Sequence, residues 1–233
     1  MSLLEAKGLF AGYGRIRVLF DVDITLEAGH VTALVGPNGH GKSTLLKALA
    51  GLVRARSETL EFAGRPLPRR ASDRALAGLT LVPQGDRLFT GMSVQENLLM
   101  GAYRRNEPVD DLLAHVYDLF PRLKERRSQS ASSLSGGERR MVGLGRGIMA
   151  GGALMMIDEP SLGLSPLLIE QVYEAIETMA GEGMSIFVVE ESPKRIESVA
   201  RSVLLMDSGR IAWKGDMSGF WQSDVAQQVY LGA

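Results

Sequence analysis

The sequence has no cysteine among its 233 residues, which excludes disulfide bonds and cysteine-ligated metals and suits a reducing cytosol. It also lacks a run that could cross a membrane, because its most apolar stretch, IMAGGALMMID, is about half of the roughly 20 residues that a bilayer requires. The early charges of MSLLEAKGLF are not typical of a secretory signal. The formal net charge of −1 offers no bulk attraction for nucleic acid, which is therefore not among the predicted partners.

What the chain does contain is a regular alternation of strand-like and helix-like stretches. Apolar runs such as HVTALVG, ALMMIDEP and MSIFVVEE predict buried strands, and segments with helical spacing separate them. This alternation predicts an α/β fold with a mostly parallel sheet. The length suits one domain with an inserted subdomain, and a helix-rich stretch at about 85–133 separates a core made of 1–84 and 134–233.

Local signals place several helix ends. Ser93 and Glu96 form a Ser-x-x-Glu pattern, which predicts the start of a helix. Pro121 predicts a break in the helical stretch that follows. Pro193 is expected in the first turn of a further helix over 193–200.

The stretch GPNGHGKST fits the pattern G-x-x-x-x-G-K-[ST] between a predicted strand and a predicted helix, the context that a phosphate-binding loop requires. Its glycines let successive N–H groups and the helix N-terminus face an anion. Lys42 adds a cation for the β- and γ-phosphates, and Ser43 offers a hydroxyl to Mg²⁺. For His40, a solvated loop position is a simpler interpretation than a catalytic one. The predicted nucleotide-binding residues are Gly36, Pro37, Asn38, Gly39, His40, Gly41, Lys42, Ser43 and Thr44.

Two carboxylates follow the hydrophobic strand of ALMMIDEP. Because ligands gather at the carboxyl ends of parallel strands, Asp158 is expected near the phosphate-binding loop, where it can hold Mg²⁺ directly or through water. Glu159 is then placed to accept a proton from, or to orient, the water that attacks the γ-phosphate. Solvated acids at an ordinary strand end are the alternative, which the preceding phosphate-binding loop disfavours.

A third stretch, SSLSGGERR at 132–140, places two glycines directly after Ser135. The glycines open the N-terminus of a helix, so that a phosphate can approach the backbone closely. A simple helix cap at Ser135 is compatible with this interpretation but explains neither Gly136 nor Gly137. Since the chain already has one phosphate-binding loop, a second would be redundant within a single site.

GPNGHGKST, LSGGE and LMMIDEP occur in this order, and together they resemble the nucleotide-binding subunit of an ATP-binding cassette (ABC) transporter, whose signature sequence LSGGE matches. The resemblance extends from Tyr13 to the C-terminus. It implies a P-loop NTPase cassette, a single ATPase domain over 1–233 with a mostly parallel core sheet, an antiparallel β subdomain and an inserted helical subdomain. It also implies that ATP and Mg²⁺ are the cofactors.

The resemblance supplies a purpose for the second glycine-containing stretch. Cassettes of this family pair head to tail, and the signature of each closes over the ATP of the other. By this resemblance Ser135, Gly136, Gly137 and Glu138 act on the nucleotide of a partner cassette, and hydrolysis releases the pair. The loop at 161–166 resembles the segment that crosses to the partner beside the catalytic acid.

Two further roles also come from the resemblance. Tyr13 corresponds to an aromatic residue that stacks on adenine, with a surface turn tyrosine as the alternative. Gln84 corresponds to a glutamine that reaches Mg²⁺ and the attacking water and senses the membrane partner, with a strand-end polar residue as the alternative. The implied metal ligands are therefore Ser43, Gln84 and Asp158, and the implied catalytic residues are Glu159 and Gln84.

Glu191 occupies a switch position where most cassettes of the family carry a histidine that contacts the γ-phosphate. At about 4 Å from a phosphate charge, an ionised carboxylate meets a repulsion of about 4 kcal/mol at an effective dielectric constant near 20. We therefore expect Glu191 either to be protonated or to turn away from the nucleotide, towards Lys194 or Arg195.

The stretches LVPQGDRLFTGMSVQENLLMGAY and IDEPSLGLSP and the ending VYLGA resemble the second ATPase subunit (LivF type) of branched-chain amino-acid importers, to which importers of urea or short amides are related. The implied partners are a second cassette, transmembrane permease subunits and, indirectly, a periplasmic solute-binding protein. The implied location is cytoplasmic, peripheral on the inner face of the plasma membrane. A soluble ABC ATPase outside transport is the alternative, and a stand-alone P-loop switch or kinase would leave LSGGE without a purpose.

Overall fold

The structure is a computed structural model that describes residues 2–85, 87–105 and 108–231. The strands are β1 (Ser2–Tyr13), β2 (Ile16–Glu27), β3 (Val31–Val35), β4 (Ala55–Arg56), β5 (Thr59–Phe62), β6 (Arg65–Pro66), β7 (Leu79–Val82), β8 (Leu154–Asp158), β9 (Ser185–Glu190), β10 (Ser202–Asp207) and β11 (Arg210–Gly215). The α-helices are α1 (Lys42–Leu49), α2 (Ala71–Leu76), α3 (Val94–Gly101), α4 (Asp110–Leu119), α5 (Pro121–Glu125), α6 (Gly136–Ala150), α7 (Pro166–Gly181), α8 (Met217–Gln222) and α9 (Asp224–Leu231). In these residues no helix is both long and apolar enough to cross a membrane.

A six-stranded sheet in the order β11-β10-β3-β9-β8-β7 forms the centre of the fold. Its neighbours from β10 to β7 run parallel, whereas β11 is antiparallel to β10. Strands β3, β8 and β9 are buried along their whole length, because both faces of the sheet are covered. Side chains alternate between the two hydrophobic cores, so that Met155 and Ile157 enter one core and Met156 enters the other.

A second, antiparallel sheet in the order β2-β1-β5-β6, with β4 paired to β1, covers one face of the central sheet. Helix α1 shares a hydrophobic core with both sheets through Leu45, Leu46 and Leu49. The predicted α/β class, with a mostly parallel core sheet and an antiparallel β part, is confirmed.

Between β7 and β8 the chain forms α3, α4, α5, a short 3-10 turn and α6. The helix start predicted at Ser93 is confirmed, because the Ser93 hydroxyl accepts from the Glu96 N–H and the Glu96 carboxylate accepts from the Ser93 N–H. The break at Pro121 separates α4 from α5. Gly145 permits close helix packing, since a Cβ there would lie 2.6 Å from Leu98 Cδ2. The limits 85–133 of a separate helical subdomain stay a prediction.

The helix predicted over 193–200 is wrong. Only a 3-10 turn forms, at Pro193–Arg195, and the chain then turns towards β10. Arg201 N–H already donates to Val31 O, at the start of the strand pairing between β10 and β3. Here the tertiary pairing that begins at Arg201 overrides the local helix propensity.

Candidate nucleotide-binding and hydrolysis site

The carboxyl ends of four parallel strands bring the predicted site residues to one edge of the central sheet. The loop 36–44 follows β3, Gln84 follows β7, Asp158 ends β8, and Glu191 follows β9. This edge is where ligands bind in α/β sheets.

The loop 36–44 requires glycine for two reasons, a left-handed backbone and a lack of room for a Cβ atom. Gly36 has φ 151°, and a Cβ there would lie 2.2 Å from Met206 O. Gly41 has φ 104°, and its Cβ would lie 2.9 Å from Leu19 Cδ2. Gly39 has φ 83°, with open space where its side chain would be. Helix α1 begins directly after Gly41 without a side-chain cap, so no side chain competes for its first N–H groups, which is what an anion-binding helix start requires.

The Lys42 ammonium lies inside this loop. Its Nζ donates to Gly36 O at 2.7 Å and to Pro37 O at 3.1 Å, and the residue is 3% exposed. Burial lowers the pKa of Lys42 below its usual value, although the carboxylates of Glu159 and Glu191 oppose this shift. Two carbonyl acceptors thus hold the cation where a phosphate would replace them.

Ser43 and Asp158 meet at the predicted metal position. The Ser43 hydroxyl donates to Asp158 Oδ1 at 2.9 Å, and Asp158 is 2% exposed. Burial raises the pKa of Asp158, against the hydrogen bond from Ser43 and the nearby lysines. A hydroxyl beside a carboxylate is a donor set that Mg²⁺ binds together with nucleotide phosphates, so these residues fit the ion. No group of three His, Cys, Asp or Glu residues suitable for a metal occurs in the described ranges.

Glu159 sits at a backbone turn directly beyond β8. Its φ of 47° is left-handed, which is unusual for a residue with a side chain, and its N–H donates to Val189 O. Gln84 Nε2 donates to Glu159 Oε2 at 2.7 Å, so the two predicted catalytic side chains are in contact. Burial raises the pKa of Glu159, opposed by the charge of Lys42.

Arg140 on α6 connects these segments. Its guanidinium donates to the carbonyls of Asp158 and Pro160, on both sides of Glu159, at 2.8 and 3.2 Å. It also donates to the carbonyl of Pro83, directly before Gln84, at 3.0 Å. Arg140 therefore fixes helix α6 against the turn that carries Glu159.

Helix α6 begins at the signature stretch with a complete capping box. Ser135 Oγ accepts from Glu138 N–H at 3.3 Å, and Glu138 Oε2 accepts from Ser135 N–H at 2.9 Å. Arg126 Nε lies 2.7 Å from the same carboxylate. Burial alone would raise the pKa of Glu138, but the hydrogen bonds from Ser135 and the charge of Arg126 lower it overall.

The two glycines of the signature stretch differ in what surrounds them. A Cβ at Gly136 would meet nothing nearer than Arg139 Nη2 at 4.0 Å, and this residue is exposed together with Ser135. A Cβ at Gly137 would lie 2.3 Å from Leu168 Cδ1 on α7. Gly137 is therefore required by helix packing, whereas Gly136 leaves the helix N-terminus open on its outer side.

The remaining predicted residues lie at the margins of the site. Tyr13, at the end of β1, is 48% exposed. His40 Nδ1 lies 2.8 Å from Asp207 Oδ1 and 3.1 Å from the N–H of Ser208, which ties the loop to the turn after β10. His40 is thus held by its neighbours instead of being a freely solvated loop side chain, and neither contact involves another predicted site residue.

Glu191 has an exposed side chain, and its backbone carbonyl accepts from Tyr230 OH of α9 at 3.0 Å. Arg195, one of the two cations considered as its partner, donates to Ser161 Oγ and lies 3.8 Å from Glu190 Oε2. The choice between a protonated and a turned-away Glu191 stays a prediction.

Sequence reasoning missed Arg140, Glu190 and Tyr230. A signal existed for Glu190 alone, because it ends the apolar run of β9 beside an exposed acid. Its 1% exposure and its partners depend on packing that the sequence does not display.

A glycine-rich loop between β3 and α1, with Lys42 inside it and a carboxylate at the end of a parallel strand, defines a P-loop nucleotide-binding protein. The family model described as ABC transporter matches residues 19–162, and the chain belongs to this family. Members of the family bind and hydrolyse ATP, so the chain is an ABC ATPase subunit of a transporter. The resemblance predicted from the motifs is thereby confirmed.

Two curated relatives match almost the whole chain. It is 37% identical to the high-affinity branched-chain amino acid transport ATP-binding protein BraG of Pseudomonas aeruginosa, over 94% of this chain and 95% of BraG. It is 33% identical to the probable branched-chain amino acid transport ATP-binding protein LivF of Archaeoglobus fulgidus, over 99% of each. The lipopolysaccharide export system ATP-binding protein LptB of Escherichia coli K12 is more distant, with 27% identity over 100% of this chain and 98% of LptB.

Solved structures share the fold. A nucleotide-free ATP-binding cassette from an ABC transporter superposes with a TM-score of 0.87 at 21% identity, over 100% of both chains. The ABC cassette fold predicted from the resemblance is confirmed.

Proposed function

We propose that the chain is the ATP-hydrolysing subunit of a membrane importer for branched-chain amino acids or for related amides or urea. The observation that carries this proposal is the identity of 37% and 33% to BraG and LivF over at least 94% of the chain. The lower identity to LptB, at 27%, favours import over lipopolysaccharide export.

At its own nucleotide site, the chain would bind ATP through the N–H groups of the loop 36–44. Lys42 would exchange its two carbonyl acceptors for the β- and γ-phosphates. Ser43, Asp158 and Gln84 would hold Mg²⁺, which supplies charge neutralisation on the phosphates when bound.

Hydrolysis would depend on Glu159. Its half-buried carboxylate, held by Gln84 at 2.7 Å, would accept a proton from the water that attacks the γ-phosphate, or orient that water. Gln84 would report the state of the membrane partner to the same carboxylate. Glu191 would either be protonated or turn away from the phosphates, because an ionised carboxylate would repel them.

The signature stretch would serve a second cassette, either a copy of this chain or a homologous one. Ser135 and Gly136 are exposed at the N-terminus of α6, and Gly136 leaves room for a phosphate. Head-to-tail pairing would place this N-terminus over the nucleotide of the partner, and ATP would hold the two subunits together until hydrolysis.

The permease would dock on the helical stretch near 85–120, and a periplasmic solute-binding protein would act through that permease. Large apolar side chains are exposed there, including Phe89 at 46% and Tyr103 at 71%. The chain would thus work in the cytoplasm, on the inner face of the plasma membrane, without contacting nucleic acid.

The test is uptake by cells that carry Glu159→Gln in place of the wild-type allele. We expect a loss of leucine, urea or short-amide uptake by about 100-fold, because general-base catalysis contributes on this scale. Binding of ATP by the purified variant should be retained. Normal uptake of all three solutes, combined with defective lipopolysaccharide export, would contradict the proposed import function and indicate that the chain serves an exporter.

A further inference from the structure

A buried carboxylate that the proposed mechanism does not use lies at the end of β9. Glu190 is 1% exposed, and its Oε1 accepts from Tyr173 OH at 2.6 Å and from the Ser161 N–H at 3.1 Å. Arg195 Nη1 lies 3.8 Å from its Oε2. A buried carboxylate is stable only with such donors, because its desolvation is otherwise very costly. We call Tyr173, Ser161, Glu190 and Arg195 the Glu190 cluster.

The cluster holds the chain just beyond Glu159. Ser161 is 1% exposed, its N–H is bound by Glu190, and its Oγ accepts from Arg195 Nη1 at 2.7 Å. Only Pro160 separates Ser161 from Glu159. The left-handed backbone of Glu159 costs free energy and persists only where its surroundings hold it in place.

The same carboxylate is adjacent to the switch position. Glu190 directly precedes Glu191 in the chain. Its carboxylate also accepts the hydrogen bond from the Ser161 N–H, and Ser161 lies two residues after Glu159. Glu190 is thus linked to both Glu191 and Glu159. Burial, followed by the charge of Glu190, raises the pKa of Tyr173 well above its usual value. The Tyr173 hydroxyl therefore keeps its proton at neutral pH and donates it to Glu190.

We propose that the Glu190 cluster is a positioning network for ATP hydrolysis, in which Tyr173 acts through Glu190 and Arg195 acts directly on Ser161, and Ser161 in turn positions the carboxylate of Glu159. The network joins the turn of Glu159 to the switch position at Glu191. This inference rests on the proposed role of Glu159.

The first test is Tyr173→Phe, which removes one hydroxyl and keeps the buried ring. In steady-state hydrolysis of ATP by the full chain, we expect kcat to fall by about 10-fold, the effect of losing one charge-assisted hydrogen bond. The KM for ATP should change by less than about twofold, because no cluster residue is expected to contact the nucleotide.

The chain offers a matched control in Tyr117→Phe. Tyr117 on α4 is 7% exposed, so it is not one of the exposed side chains proposed for permease docking, and Tyr173 is 6% exposed. The Tyr117 hydroxyl has a long contact, to Gln95 Oε1 at 3.5 Å. Both changes delete the same atom from a buried tyrosine. Tyr117→Phe should leave kcat unchanged, and equal losses of kcat in the two variants would overturn the proposal.

A second pair of variants addresses Arg195. Arg195→Lys should retain part of kcat because a cation can still reach Ser161 Oγ, whereas Arg195→Gln should lose about as much as Tyr173→Phe. The double variant Tyr173→Phe/Arg195→Gln should lose much less than the product of the single effects, because both side chains act on Ser161, Tyr173 through Glu190 and Arg195 directly. Fully multiplicative effects would contradict a shared network.

Glu159→Gln separates this inference from the role on which it depends. Unimpaired hydrolysis by Glu159→Gln would remove the basis of both ideas. Loss of hydrolysis in Glu159→Gln together with normal kcat in Tyr173→Phe would contradict the positioning network and leave the proposed role of Glu159 in place.

Discussion

The two helix N-termini predicted to meet nucleotide, those of α1 and α6, are built in opposite ways. Helix α1 follows Gly41 with no side-chain cap and carries Lys42 as its first residue. Helix α6 is closed by the reciprocal hydrogen bonds of Ser135 and Glu138, and its outer surface is open at Gly136. The start of α1 has the Lys42 ammonium and backbone N–H groups that no side chain caps. At the start of α6, in contrast, the Ser135 side chain already accepts the N–H of Glu138. This difference supports the proposal that α1 holds a phosphate within one chain and that α6 completes the site of a partner cassette.

Helix α3 is the reference for this comparison. It begins with the same capping box, formed by Ser93 and Glu96, but Val94 and Gln95 occupy the positions of the two glycines. A capping box therefore needs no glycine. The glycines of α6 have other causes, which are packing at Gly137 and an open approach at Gly136.

Ser135→Arg should produce the largest effect. The bulky cation would occupy the outer surface of α6, so we expect hydrolysis to fall by about 100-fold with little change in ATP affinity of the isolated chain. Ser93→Arg removes the equivalent cap from α3 and should cost only about 1 kcal/mol of stability with normal hydrolysis. ATP affinity by calorimetry and single-turnover rates would check both variants.

Mixing Ser135→Arg protein with Lys42→Ala protein sharpens the same comparison. A head-to-tail pair of the two variants contains one site with an intact Lys42 and an intact Ser135, so part of the hydrolysis should return. An isolated monomer of Ser135→Arg that hydrolyses ATP at the normal rate would refute the cross-subunit reading of α6.

A further prediction uses the opposite pKa shifts of two carboxylates, Glu159 at the turn beyond β8 and Glu138 at the start of α6. Burial raises the pKa of Glu159 above its ordinary 4.5, while the Ser135 hydrogen bonds and Arg126 lower the pKa of Glu138 despite its burial. A general base works only when ionised, so hydrolysis should fall by about tenfold for each pH unit below the raised pKa. Glu138 stabilises the folded chain above its unfolded pKa, and this contribution is lost only as the pH falls through its lowered folded pKa.

Acidification should therefore slow hydrolysis before it destabilises the start of α6. Rates measured over a series of falling pH values, with helix content followed by circular dichroism, would check this order. An acid limb that persists in the residual activity of Glu159→Gln would assign the titration to another group.

The smallest effects concern the two signature glycines. Gly137→Ala should lower the free energy of unfolding by about 1–3 kcal/mol, because its Cβ would press against Leu168 Cδ1. Gly136→Ala should leave stability unchanged or raise it by up to about 1 kcal/mol, because alanine favours the helix and meets open space. Its hydrolysis should nevertheless fall, and unfolding in urea alongside rate measurements would separate the two effects. Equal destabilisation by both changes would contradict this assignment.

Much of the site could be predicted from the sequence because its signals are local. The phosphate-binding loop is a continuous stretch in which glycine spacing and one lysine state the chemistry, and the structure places it between a strand and a helix as expected. The capping boxes at Ser93 and Ser135 are equally local, since each depends on residues three positions apart. Parallel strands then bring Asp158 to the same edge as Ser43 without any further information.

By itself, then, the sequence determined the class of fold, the nucleotide chemistry and the family. Tertiary structure alone decided that Arg140 clasps both sides of Glu159, that Glu190 is buried among three donors, and that Gly137 faces Leu168. It also reduced the helix expected at 193–200 to one 3-10 turn. The physical reason is that these outcomes depend on contacts between segments far apart in the chain, such as Arg140 with Asp158 and Glu190 with Ser161, and spacing along the chain carries no record of such contacts.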